Sequence, residues 1–177
     1  SPAPNKIQIG AKLTGGLGAG GNPEVGENAA KEDSESIEKA VIGADMVIIT
    51  AGMGGGTGTG SIPIVADIAR KSGALTIAVV TTPFEFEGAG RMKNAREGLS
   101  KLRENVDSLI VIPNESVFKI IDRKINFREA FQLADQLLCD GVKGVSEIIT
   151  KPGDVNLDFN DVKSVMKNQG DALLGVG

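Results

Sequence analysis

The run Gly52-Met-Gly-Gly-Gly-Thr-Gly-Thr-Gly60 has the residue types to hold an anion. Glycines let a backbone approach a phosphate closely and turn its N–H groups inward. Thr57 and Thr59 offer hydroxyl donors beside them. The run follows an apolar stretch ending at Thr50, and a helix is expected to open near Ser61-Ile-Pro63. Such a helix would aim its positive end at the same anion. A flexible loop is the alternative use of so many glycines, but the position between a buried stretch and a helix favours a phosphate cradle. A Walker A loop is excluded, because Gly-Lys occurs nowhere in the chain.

A second glycine loop spans Gly15-Gly-Leu-Gly-Ala-Gly-Gly-Asn22. Gly16, Gly18 and Gly21 formally fit the dinucleotide pattern Gly-x-Gly-x-x-Gly. The strand candidate Lys6-Ile-Gln-Ile9 does not abut it, and Asp45 precedes its strand instead of closing one. A second phosphate-contacting loop fits better, since a helix over 23–42 is expected directly after it. Asn22 would be its N-cap and Pro23 its first residue. Two acidic patterns complete the candidates. Phe131 and Asp135 share a helix face at i and i+4. Asp158 and Asp161 lie three apart at the start of a short helix after Pro152-Gly153. Residue type alone leaves Phe131 as core, Asp135 as solvated, and the later pair as ordinary first-turn charges.

Composition narrows the chemistry. The net charge of −4 argues against a nucleic-acid or anionic-membrane surface. Any phosphate must then be held by backbone amides, helix N-termini and a metal ion. The chain has no histidine, which excludes His-based triads and His-ligated zinc within it. Its one cysteine, Cys139, cannot form an internal disulfide. It reads as helix packing in a reduced, cytosol-like compartment. No stretch reaches transmembrane length and no signal peptide is visible. A start at Ser1 and an end in a strand-like Ala172-Leu-Leu-Gly-Val-Gly177 read as those of a fragment.

The elements that must position these loops alternate along the 177 residues. Met46–Thr50, Leu75–Val80 and Leu109–Ile112 are β-branched and nearly uninterrupted, as suits strands buried on both faces of a parallel sheet. Met92, Ala95, Leu99, Leu102 and Val106 recur at helical spacing. Phe127, Phe131, Ala134, Leu138, Val142, Val145 and Ile149 do the same. The pattern predicts an α/β doubly wound, mostly parallel, Rossmann-like domain whose ligand sits at the C-terminal ends of the strands.

Gly54-Gly-Gly-Thr-Gly-Thr-Gly60 is similar to the signature loop of the tubulin/FtsZ superfamily. Asn5-Lys-Ile-Gln-Ile-Gly10, Gly18-Ala-Gly-Gly-Asn-Pro-Glu24, Pro83-Phe-Glu-Phe-Glu-Gly88 and Asn156-Leu-Asp-Phe-Asn-Asp161 resemble the FtsZ family in order and spacing. The resemblance covers essentially the whole chain. It implies a GTP-binding domain over 1–177, lacking an N-terminal strand, a first glycine loop and a C-terminal domain. It implies a GTPase that assembles head-to-tail filaments and the division ring. It also implies roles. Gly20, Gly21 and Asn22 would contact the terminal phosphate. Gly54, Gly55, Gly56, Thr57, Gly58, Thr59 and Gly60 would cradle the phosphates. Glu87 and Arg91 would hold the ribose and phosphate region, Asn114 would lie near the sugar or base, and Phe131 and Asp135 would hold guanine. A carboxylate only accepts hydrogen bonds, and guanine presents N1–H and N2–H₂ side by side where adenine does not. Asp135 would thus select guanine.

The resemblance also implies that Asp158 and Asp161, positioned by Asn156, orient and polarise the attacking water. A helix over 127–149 is about 34 Å long at 1.5 Å per residue. The guanine pair lies near its start and the two carboxylates follow its end, so they would reach the nucleotide of a neighbouring subunit. Such heterologous contacts propagate filaments. Mg²⁺ would be held through the nucleotide phosphates, with no direct protein ligand. Membrane-tethering and regulatory division proteins would bind a tail beyond this chain. Nucleic-acid partners and direct membrane insertion are not expected. The compartment implied is the cytoplasm at the division site, or a plastid stroma. Gly15, Thr82 and Ala89-Gly90 stand where basic residues are frequent in the family, which implies weaker phosphate binding or turnover. Two other classes remain open: a guanine-nucleotide module that does not polymerise, and a nicotinamide-dependent oxidoreductase reading the first glycine loop.

Overall fold

The protein is represented by a computed structural model, in which residues 3–121, 125–150 and 170–172 are described. Four parallel strands, β1 (Met46–Gly52), β2 (Leu75–Thr82), β3 (Ser108–Pro113) and β4 (Gly170–Ala172), pair in the order β1-β2-β3-β4. Seven helices are described: α1 (Ala11–Thr14), α2 (Pro23–Glu32), α3 (Ser34–Val41), α4 (Thr57–Lys71), α5 (Ala89–Arg103), α6 (Val117–Ile120) and α7 (Phe127–Thr150). Single 3₁₀ turns cover Glu85–Glu87 and Asn114–Ser116.

Alternation along the strands explains why their sequences are apolar throughout. Ile49, Ala78, Val80 and Leu109 point to one face and pack with Ile62 and Ala66 of α4 and Ala95 and Leu102 of α5. Leu75, Ile77, Val79 and Ile110 point to the other, where Leu138, Val142 and Val145 of α7 cover them. Helices on both faces of a parallel sheet are the doubly wound arrangement that the sequence pattern predicts. The register pairs Gly52 with Thr81 and Thr82 with Pro113. The C-terminal ends of β1, β2 and β3 are therefore level, and the segments after them emerge on the same side.

Several sequence expectations are corrected. Lys6–Ile9 forms no strand and pairs with none of those described. The helix expected over 23–42 is two helices, broken at Asp33, whose backbone leaves the helical region. The Asp33 carboxylate instead accepts the Gly10 N–H at 2.7 Å, a local bond of the kind that competes with helix continuation. Asn22 and Pro23 do take the expected cap and first position, with Asn22 Oδ1 accepting the Glu24 N–H at 2.9 Å. The helix containing Met92 stops at Arg103, and Val106 is buried in the turn before β3. Cys139 is exposed, not packed, because the buried line of α7 runs through Ala130, Ala134 and Val145. Among the described residues, no helix is long and apolar enough to cross a membrane.

One polar contact ties α2 to the distant α5. Glu27 meets Lys101 at 2.8 Å and Lys31 at 2.6 Å. The hydrogen bond from Lys101, then that from Lys31, holds the Glu27 carboxyl below its ordinary value. Its contribution to stability is therefore full above the ordinary carboxylate range and is lost as pH falls through the lowered value. The lysines are largely exposed, so solvent screens the pair. Glu27→Gln is expected to cost less than about 1 kcal/mol at neutral pH. Melting curves over pH and salt should show the difference from wild type vanishing in acid and shrinking at high ionic strength. A difference unchanged by both would assign the effect to packing.

Candidate functional site

The phosphate-binding candidates arise where two helix N-termini meet. The amides of Gly55 to Thr59 precede the first helical bond of α4, which runs from Gly60 N–H to Gly56 O at 3.0 Å. Those of Gly56 to Thr59 are the four donors that a helix start leaves without internal partners, and Gly55 lies just before them. The helix opens at Thr57, earlier than expected, and Pro63 lies inside it. Pro63 is thus no marker of the first turn here, and Thr57 to Gly60 belong to the helix and not to the loop.

Close backbone approach sets the glycines. A Cβ at Gly60 would overlap the carbonyl oxygen of Pro23 at the start of α2, and one at Gly56 would come within 2.8 Å of Ala19 Cβ and the Asn22 amide. The two glycine loops therefore touch through their backbones. Gly54 has φ +105, a conformation that disfavours side chains, and the Arg91 carbonyl of α5 lies 2.9 Å from its would-be Cβ. Thr59 is 2% exposed and its Oγ1 accepts the Gly54 N–H at 2.8 Å. Its hydroxyl holds the loop in shape from within, and the Gly54 amide is already engaged by it. Gly20 and Gly21 both have positive φ, at 57 and 79.

A cleft of about 250 Å³ opens beside this loop, bordered by Gly55, Glu87, Arg91, Asn114, Phe131 and Asp135. Six residues singled out in the sequence thus converge on one cavity at the C-terminal ends of the strands. Gly52, Met53, Thr81, Pro83 and Ala134 complete its walls. Glu87 receives the Phe84 N–H at 2.9 Å and the Arg91 guanidinium at 2.7 Å. Its charge is compensated on the spot, and it anchors Arg91, the cation of the cleft wall. Asn114 is 7% exposed with its Oδ1 unpartnered. A buried acceptor without a partner is costly, so this oxygen suits a ligand that brings a donor.

Phe131 and Asp135 reach the cleft because of how α7 begins. Ala130 and Ala134 pack against buried Phe84 and Val117, with Leu133 and Leu137 beside them. The Phe131 ring meets Phe84 edge-on at 5.3 Å and Phe86 at 6.0 Å, yet remains 42% exposed. Its contacts fix the ring and leave surface free for stacking. Asp135 is exposed, and no hydrogen bond or ion pair to its carboxylate is found among the described residues.

Some expectations fall elsewhere. Asn156, Asp158 and Asp161 lie outside the described residues. Asn22 uses its side-chain oxygen as a helix cap. Two residues escaped the sequence reading. Asn94 donates its carboxamide to the carbonyls of Gly21 and Gly54, at 3.4 Å each. Gly98 lets α5 press on the loop, since a Cβ there would overlap Thr59 Cγ2 and lie 2.9 Å from Met53 Cε. The signal was available: 91, 94 and 98 share one face of a helix whose Arg91 was already a candidate.

The sequence profile of the Tubulin/FtsZ family, GTPase domain, matches residues 1–122. The fold is similar to that of an FtsZ dimer of M. jannaschii, described as empty, with 58% identity, 92% of this chain and 47% of that chain covered, and a TM-score of 0.88. A mutant FtsZ from M. jannaschii is 57% identical, with 98% and 52% of the two chains covered and a TM-score of 0.93. CetZ2 from Haloferax volcanii, solved as a GTPγS-bound protofilament, shares the fold at 20% identity, with 94% and 49% covered and a TM-score of 0.75. The chain thus spans about half the length of the FtsZ structures it matches.

The packing of α5 on the loop yields a test. Gly98→Ala must displace Thr59 or Met53 and is expected to cost about 1–3 kcal/mol in stability, as overpacking does. Ligand binding in the cleft should weaken with it, because Thr59 holds Gly54. Unfolding by denaturant and ligand titration on one preparation check both. An alanine variant as stable as wild type would mean that the contact yields easily.

Proposed function

Because this chain belongs to the Tubulin/FtsZ family of GTPase domains, we propose that it binds and hydrolyses GTP within a filament-forming protein that builds the division ring. The observation that carries this reading is the cleft itself, where a phosphate-type glycine loop faces Phe131 and Asp135. The free amides of Gly55 to Thr59, with Gly20 and Gly21, would hold the phosphates, and Arg91 would add charge. Asn114 Oδ1 would accept from the sugar or base. Phe131 would stack on the base, and Asp135 would accept from guanine N1–H and N2–H₂.

Mg²⁺ fits this donor set through the nucleotide. Among the described residues no three acidic, cysteine or histidine side chains cluster. Magnesium commonly binds phosphates and waters with few protein ligands. When bound, it would neutralise phosphate charge during transfer. GTP + H₂O → GDP + phosphate then needs a group to orient water. That role is assigned to Asp158 and Asp161, with Asn156, acting on the nucleotide of the next copy in a head-to-tail stack. Residues 1–177 would be the partial GTP-binding domain of the longer protein, inactive by themselves. The protein would work in the cytoplasm at the division site, with tethering and regulatory proteins bound elsewhere on it.

The shared site is tested by phosphate release in the complete reading frame containing this chain. The rate per subunit is expected to rise above a threshold concentration with GTP and to stay at background with ATP. Asp158→Ala should abolish the rise while leaving GTP binding intact. A rate flat with concentration, or unchanged by Asp158→Ala, would make this a nucleotide module complete within one subunit.

Base selection has its own test. Asp135→Ala is expected to weaken GTP by at least about tenfold, the loss typical when a site's polar partner is removed. Equilibrium titration with GTP and ATP measures it. An unchanged GTP-to-ATP affinity ratio would remove Asp135 from the guanine site.

A further inference from the structure

The geometry points to Asn94 as a positioning residue that clasps the two glycine loops at the spacing their ligand requires, and we propose this role for it. The assignment of a phosphate ligand rests on the function proposed above; the clasp itself does not. Asn94 sits in α5, three residues after Arg91 and four before Gly98. Its Nδ2 carries two hydrogens and lies 3.4 Å from the Gly21 carbonyl and 3.4 Å from the Gly54 carbonyl. One amide group thus spans two loops that are far apart in sequence.

The loops already touch at Gly56 and Asn22, and Asn94 adds a tie at Gly21 and Gly54. Gly20, Gly21 and Gly54 have positive φ and no side chains of their own to fix them. Gly54 is tied to α4 through Thr59, and Asn22 is tied to α2 as its cap. Each loop is therefore fixed to its own helix, and Asn94 links one to the other through a third helix. Two contacts hold α5 where Asn94 can reach both loops. Gly98 packs against Thr59 and Met53, and Lys101 meets Glu27 of α2 at 2.8 Å. Both hydrogen bonds of Asn94 are long, at 3.4 Å each, so each is individually modest.

The roles proposed for the loops set the functional consequence. Gly20 and Gly21 would contact the terminal phosphate, and the amides of Gly55 to Thr59 would cradle the phosphates. Losing the clasp then weakens GTP more than GDP, and leaves the base end of the cleft untouched. Asn94→Ala keeps the helix, since alanine is the best helix former. Asn94→Asp keeps the shape but cannot donate, and it sets a carboxylate against two carbonyls. Asn94→Gln keeps the donor group on a longer arm.

Two measurements on the complete protein decide the matter. The first is amide hydrogen exchange without nucleotide. Segments 18–22 and 52–58 should exchange several-fold faster in Asn94→Ala and Asn94→Asp, while 95–103 of α5 remains as in wild type and Asn94→Gln recovers part of the protection. Unchanged exchange in both loops overturns the clasp, as does equal acceleration throughout α5. The second is equilibrium binding of GTP, GDP and guanosine. Asn94→Ala should weaken GTP about three- to tenfold, the loss expected for a modest hydrogen-bond pair. GDP should lose less and guanosine nothing. Equal losses for all three would overturn the phosphate-positioning role and leave a general structural one. A wild-type protein that binds no GTP would sink the function proposed above, and the exchange experiment would still decide the clasp.

Discussion

The contact between the first turns of α2 and α4 governs the site. Pro23 O lies where a Cβ of residue 60 would have to be, and Gly56 fits against Ala19 and Asn22. This is backbone packed on backbone, which side chains would prevent. It brings two helix N-termini together, each carrying roughly half a positive charge at its end. The level C-terminal ends of β1, β2 and β3 then set the remaining walls at a fixed distance from that point. If either glycine gained a side chain, the loops would separate and the amides would no longer converge.

That arrangement answers a problem of charge. The chain carries −4 overall, and Arg91 is the only Lys or Arg among the described residues that line the cleft. An anion site of this kind cannot rely on a basic patch. It would rely on oriented amides, which add no net charge and do not titrate. Glu87 is compatible with it because its two oxygens are already occupied by the Phe84 amide and Arg91. Gly15, Thr82 and Ala89-Gly90 add no cation to it.

Much of this was legible in the sequence, for physical reasons that differ between elements. β2 is buried along nearly its whole length and β3 over its first half, while β1 is mostly half-buried, and the apolar runs of all three are nearly uninterrupted and hard to misread. The long α7 repeats its apolar face over many turns, and its two embedded glycines did not break it. Signals failed where one residue had two uses. Asp33 looked like a helix residue but is committed to the Gly10 amide. Pro63 looked like a first-turn marker but lies within α4. Lys6–Ile9 has a strand's composition, yet a strand also requires a partner edge, which composition does not reveal. Asn94 could be placed on the face of Arg91 by helical spacing, but its partners are backbone carbonyls, which leave no trace in residue type. Thr59 was legible as part of the loop, but its inward hydrogen bond was not.

On the function proposed above, the two carboxylates of the cleft would let specificity and anion binding coexist. A carboxylate beside a phosphate repels it unless something intervenes. Glu87 is neutralised by the partners that occupy its oxygens. Asp135 has no partner found among the described residues, and it belongs to α7 beside Phe131, whereas the phosphate-type amides belong to the start of α4. Left against an uncharged ligand surface without donors, it would lose hydration and gain nothing. A ligand that carries anionic groups at one end and paired N–H donors at the other removes both difficulties. Adenine in the same orientation would leave the carboxylate unsatisfied, so discrimination would come from an absence of bonds in the wrong complex as much as from bonds in the right one. Asn114 Oδ1, buried and unpartnered just after β3, imposes a further demand for a donor. A ligand of this cleft would thus be selected by where it carries hydrogen.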